Sequence, residues 1–90
     1  MKTINTREAM KKEILKLLNQ AKQVYIYNGL LDYHFKSSKS ELINLFKSRY
    51  KNQLNVKDKN GKIDTYYMNE FLTEFKENIQ LNEHNQLFFN

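Results

Sequence analysis

Val24-Tyr25-Ile26-Tyr27-Asn28-Gly29-Leu30-Leu31-Asp32-Tyr33-His34-Phe35 is the stretch on which the fold turns. Successive side chains of a strand point to opposite faces, so Val24 and Ile26 share one side and Tyr25 and Tyr27 the other. Asn28-Gly29 is the dipeptide that supplies the positive φ angles of a type I′ turn, and the β-prone run Leu30 to Phe35 follows it. The stretch predicts a tight β-hairpin. One of its faces carries a tyrosine pair for which the core has no obvious need.

On both sides of the hairpin the apolar residues change to helical spacing. Upstream, Met10, Ile14, Leu17, Leu18 and Ala21 line one side of a helix over roughly residues 6 to 22. Asn5 or Thr6 would cap it, with Glu8 completing a capping box and Ile4 as the staple residue. Downstream, Ser38 with Glu41 spells a second capping box, and Leu42, Ile43, Leu45, Phe46 and Tyr50 line a helix ending near Asn52. Asp58-Lys59-Asn60-Gly61 is a turn signal between Leu54-Asn55-Val56 and Lys62-Ile63, which suggests a second, shorter hairpin or a loop. Met68, Phe71, Leu72, Phe75 and Ile79 form the cleanest helical stripe, with Asp64 or Asn69 as its cap. Gln86-Leu87-Phe88-Phe89 reads as a last strand or a tucked tail.

These elements predict a single α+β domain over residues 1–90, with three helices packed on one face of a mainly antiparallel sheet of four to five short strands. The order along the chain is α-β-β-α-β-β-α-β. Ninety residues bury one core and not two. Hydrophobic residues at 40% and charged residues at 28% lie in the ordinary globular range, away from disordered compositions. Without cysteine the core has neither disulfides nor a thiolate zinc site, which suits a reducing compartment, the cytoplasm. The start of the chain has no apolar run of signal-peptide or membrane-span length, so no membrane association is expected. Thirteen lysines against two arginines, with twelve asparagines, are the accent of AT-rich coding, as in a low-GC bacterium, its phages or its plasmids.

No constellation for catalysis emerges, and neither a metal nor a cofactor is expected. Asp58-Lys59-Asn60-Gly61-Lys62-Ile63-Asp64 resembles the middle of an EF-hand calcium loop, but with Gly61 as the loop glycine Val56 takes the first position and Tyr67 the twelfth, where carboxylates are required. Glu74-Phe75-Lys76 has the E-x-K spelling of restriction-type nucleases, yet it falls on a helix, where residues two apart point away from each other. His34 and His84 have no partners in metal-ligand spacing. Ser37, Ser38, Ser40 and Ser48 sit at a helix start or on its outer side, with no nucleophile-elbow glycines.

Binding is what remains. The charge is polarised: residues 1–22 carry six basic and two acidic groups, residues 36–62 eight and two, and residues 63–90 one lysine against Asp64, Glu70, Glu74, Glu77 and Glu83. Solvated helix faces account for such a pattern unaided; a basic lobe also attracts phosphate or acidic protein. Arg49 falls inside the apolar arc of helix two, where it must snorkel, pair internally or face a partner. Six tyrosines and six phenylalanines exceed what so small a core needs, and tyrosines anchor interfaces. The expected function is a non-enzymatic, stoichiometric protein-binding regulator or inhibitor of phage or mobile-element type, with a host defence or nucleic-acid-processing complex as target in the anti-CRISPR manner. Its candidate contacts are Tyr25, Tyr27, Tyr33 and Arg49. The alternative is a small basic DNA- or RNA-binding regulator of loosely winged-helix order, using Lys47, Arg49 and Lys51 on helix two and Lys57, Lys59 and Lys62 in the turn after it.

Overall fold

The computed structural model describes residues 6–90, so the cap expected from Ile4, Asn5 and the Thr6 side chain lies outside the described residues. Helix α1 (Thr6–Gln20) leads into strands β1 (Gln23–Asn28) and β2 (Tyr33–Ser37). Helices α2 (Lys39–Gln53) and α3 (Thr65–Glu77) follow, and strands β3 (Ile79–Leu81) and β4 (Gln86–Phe89) close the chain. The four strands form one mixed sheet in the order β2-β1-β4-β3, antiparallel except where β1 runs parallel to β4. The protein is thus the expected small α+β domain, with three helices and a short-stranded sheet.

Helix starts follow local chemistry. The Ser38 hydroxyl accepts from the backbone N–H of Glu41 and caps α2, while the Glu41 carboxylate accepts from Ser37 Oγ. Asp64, of the two caps considered for α3, accepts from the Tyr67 N–H at 3.1 Å. Pairing across the sheet sends Val24, Leu87 and Phe89 to one side, where they close a core with Ile14, Leu18 and Ala21 of α1, Leu42, Phe46 and Tyr50 of α2, and Met68, Leu72 and Phe75 of α3. Rings interlock at its centre: Phe46 lies 4.9 Å from Phe75, which lies 4.6 Å from Phe89.

Three local expectations are corrected. Asn28-Gly29 does not form a two-residue type I′ turn. Asn28 Oδ1 instead accepts from the N–H groups of Leu30 (2.9 Å) and Leu31 (3.3 Å), and the loop runs over residues 29–32 with the positive φ at Asp32. An asparagine whose side chain captures the next amides builds an Asx turn, which suits a four-residue loop better than the shorter one. Leu30 and Leu31 therefore belong to the turn and not to the return strand.

The second hairpin shrinks to a single antiparallel bridge, Lys57 to Ile63. Its first strand is lost because the N–H groups of Leu54, Asn55 and Val56 go to Tyr50, Asn52 and Gln53 and prolong the end of α2. Finally, α3 stops at Glu77, with Asn78 as C-cap, and Ile79 pairs with Phe89 as the first residue of a closing hairpin. Phe75 and Ile79 are one helical turn apart, so the stripe continued past the helix; Ile79 packs against the core from a strand as well as it would from a helix. The observed order is therefore α-β-β-α-α-β-β, with the lone bridge between α2 and α3.

Candidate functional site

The helices take the Val24–Leu87–Phe89 side of the sheet, and the opposite side is aromatic. Because β1 and β4 run parallel in the register Tyr25 to Phe88, those two rings stack, their centroids 5.0 Å apart and their planes within 15° of parallel. On the other flank of β1, His34 lies opposite Tyr27, their rings 5.4 Å apart, and His34 also meets Phe88 edge-on at 5.5 Å. His34 Nε2 lies 2.8 Å from Asn90 Oδ1, which fixes the ring plane. Polar residues frame the rings. Gln86 Nε2 donates to Gln23 Oε1, Gln80 and Lys36 are exposed, and Lys36 is the one cation on the strands of this face.

Beyond Ile26, β1 has no β4 partner, so the rest of the β1–β2 hairpin stands out as an arm. Large apolar side chains stand on both of its faces and at its tip. Leu30 at the tip is 95% exposed, Leu31 58% and Tyr33 50%; the Tyr33 and Phe35 rings meet at a tilt, 4.2 Å apart, on the helix side of the sheet, and Tyr27 is exposed on the other. Scattered exposed hydrophobics need no explanation, but five large ones on a single projecting hairpin do. The turn of the arm is braced by Asn28 and by Tyr27, whose hydroxyl donates to Asp32 Oδ1 at 2.5 Å. That bond, with a lesser contribution from desolvation, holds the Tyr27 phenol above its ordinary pKa.

Of the residues singled out from the sequence, Tyr25, Tyr27 and Tyr33 come together on this hairpin, Tyr33 facing away from the other two. Arg49 does not join them. It is exposed on α2 and lines a narrow cleft with Phe71, Glu74, Phe75, Asn78 and Phe89, and it forms no ion pair among the described residues, as a snorkelling side chain would. The nucleic-acid set divides as well. Lys47 and Lys51 line a groove between α1 and α2 while Arg49 faces α3, because residues two apart on a helix point to different sides. Lys57, Lys59 and Lys62 lie in the turn beyond α2, where Lys57 Nζ donates to Leu54 O.

The other motifs are used locally. Asp58 Oδ1 accepts from the N–H groups of Asn60 (2.7 Å) and Lys62 (3.1 Å), and Gly61 takes φ +78°. The EF-hand-like spelling thus encodes an Asx-type turn. Asp58→Ala is expected to lower stability by about 1–2 kcal/mol in urea denaturation, and the wild-type melt is expected to be the same in calcium and in chelator. Glu74 lines the Arg49 cleft while Lys76 reaches Glu13 on α1 at 2.8 Å, so the E-x-K pair is pulled apart. His84 sits in the β3–β4 turn beside Glu83.

Phe88, His34, Leu30, Leu31 and Phe35 are members of the surface that the sequence did not single out. Alternation along Gln86-Leu87-Phe88-Phe89 separates Phe88 from its buried neighbours, and that was the available signal. No protein-family model, no curated protein and no solved structure matches this chain.

Proposed function

We propose that the chain is a non-enzymatic protein-binding module that engages its partner with the β1–β2 arm and the adjoining aromatic sheet face. The observation that carries this is the arm itself: Leu30, Leu31, Tyr27, Tyr33 and Phe35 expose large apolar area at a projecting, internally braced site. A turn whose backbone is already fixed loses less entropy on docking than a mobile loop, which helps a small surface reach useful affinity. An aromatic sheet is also the chemistry of single-strand RNA platforms, but those pair stacking rings with cations along the phosphate path. Here Lys36 stands alone among glutamines on that face. We further infer a stoichiometric regulator or inhibitor of mobile-element type, acting in the cytoplasm in the anti-CRISPR manner. Small size, a cysteine-free core and lysine- and asparagine-rich coding support that narrower reading.

The test is comparative capture from lysates of low-GC bacteria, wild type against Leu30→Ser/Leu31→Ser, read by quantitative mass spectrometry after nuclease treatment. A protein retained stoichiometrically by the wild type and lost with the variant is the expected result. Retention that vanishes with nuclease, together with duplex DNA or RNA binding that falls steeply with salt and needs Lys47, Lys51, Lys57 and Lys59, would overturn it in favour of the nucleic-acid alternative.

A further inference from the structure

A second surface lies on the helical layer, away from the arm. Lys11 Nζ stands 4.6 Å over the Tyr50 ring near one end of α1, and Lys39 Nζ donates to Asn19 O near the other, so α1 and α2 run antiparallel with a groove between them. The groove encloses about 360 Å³. Leu15 and Leu54, both half-buried, form its accessible floor with Phe46 and Tyr50 buried beneath them, and Lys11, Lys47 and Lys51 form its rim. None of the three lysines forms an ion pair among the described residues, although the chain uses Lys76 in that way with Glu13.

We infer that this groove is a docking site for an acidic amphipathic helix of a protein partner. Two kinds of complementarity meet at this one place. The apolar floor favours a ligand that offers aliphatic or aromatic side chains, and a phosphate backbone offers none. Three ammonium groups without an ion pair among the described residues, Lys11 resting on the Tyr50 ring, favour carboxylates beside those side chains. Lys47 and Lys51 are one turn apart on α2 with Lys11 opposite them on α1, so charge lines both banks of the groove. A helix with apolar residues at i, i+3/i+4 and i+7 and flanking glutamates has the inverse pattern, and a furrow between two packed helices is a natural seat for it. The groove is built from α1 and α2 and the arm from β1 and β2, so neither surface depends on the other.

The probe is a short synthetic helix-forming peptide of that pattern, titrated against the full chain with mapping by amide chemical shifts. A scrambled peptide of the same composition, polyglutamate and a single-stranded oligonucleotide serve as controls. The expected result is binding that shifts residues 11, 15, 47, 50, 51 and 54 and weakens as salt rises. Affinity should fall at least about tenfold in the Lys11→Gln/Lys47→Gln/Lys51→Gln variant, whose wild-type melting temperature shows the fold intact. Equal affinity for the scrambled peptide or polyglutamate would reduce the groove to a patch of charge and overturn the proposal. So would tighter binding of the oligonucleotide, shifts confined to the arm, or no binding at low salt.

Discussion

Phe46→Ala is expected to destabilise the domain by about 3–5 kcal/mol, the range for truncating a fully buried aromatic residue. Phe46 is inaccessible to solvent and its ring meets those of Tyr50, Phe71 and Phe75, so the residue joins α2 to α3 at the centre of the core. A domain of this size has about 5–15 kcal/mol in hand, and no disulfide reinforces it. The urea midpoint of the variant should therefore drop by about a fifth or more, with an unchanged slope if unfolding stays two-state. Leu30→Ala is the matched control. Leu30 is almost wholly exposed, so its truncation should move the midpoint within experimental error. A small effect at Phe46 would mean that the ring cluster is not the centre of stability.

The same contrast separates what the sequence discloses from what it hides. Ile14, Leu18, Leu42, Phe46, Met68, Leu72 and Phe75 are buried as helical spacing predicts, because in an amphipathic helix the period of the pattern is the period of burial. The tyrosine face of the hairpin was legible for a similar reason, since strand alternation divides Val24 from Tyr25 whatever the turn that follows. Where the chain had to choose between equivalent uses of the same atoms, the sequence was silent. Asn28 could bend its own backbone or capture amides with its side chain; the amides of Leu54, Asn55 and Val56 could enter a strand ladder or extend a helix; Ile79 could end a stripe or begin a strand. Each outcome depends on what the rest of the fold offers as partner.

The completed face was further out of reach. Tyr25 and Phe88 are neighbours only because α2 and α3 return the chain so that β4 lies parallel to β1. Nothing local to either residue specifies that register. Arg49 is anomalous within the apolar arc of α2, and the structure places it at the edge of the core, sharing a cleft with Phe71, Phe75 and Phe89 while remaining exposed. The lysine-rimmed groove escaped notice because Lys11 and Lys47 belong to different helices, and each by itself has the pattern of an ordinary solvated surface.

Leu30→Ser/Leu31→Ser/Tyr33→Ser is expected to weaken capture of the protein partner by at least about a hundredfold while leaving the fold within about 1 kcal/mol of wild type. The loop is held by backbone amides of Leu30 and Leu31 on Asn28 Oδ1 and by Tyr27 on Asp32, and none of these bonds uses the side chains being changed. Burying the two leucines and Tyr33 in a partner would contribute roughly 1.5–3 kcal/mol for each leucine-sized group, against costs of association that do not change with the substitution. Loss of that contribution appears mainly as faster dissociation, so biolayer interferometry on the captured partner should show a larger change in off-rate than in on-rate. Tyr25→Ala/Phe88→Ala resolves how far the contact extends. A comparable loss in that variant would carry the interface from the arm across the sheet, whereas full retention would confine it to the arm tip and the Tyr33–Phe35 side. Undiminished affinity in the leucine and tyrosine triple variant would remove the arm from the interface altogether, and the lysine-rimmed groove of α1 and α2 would then be the surface on which the partner must be sought.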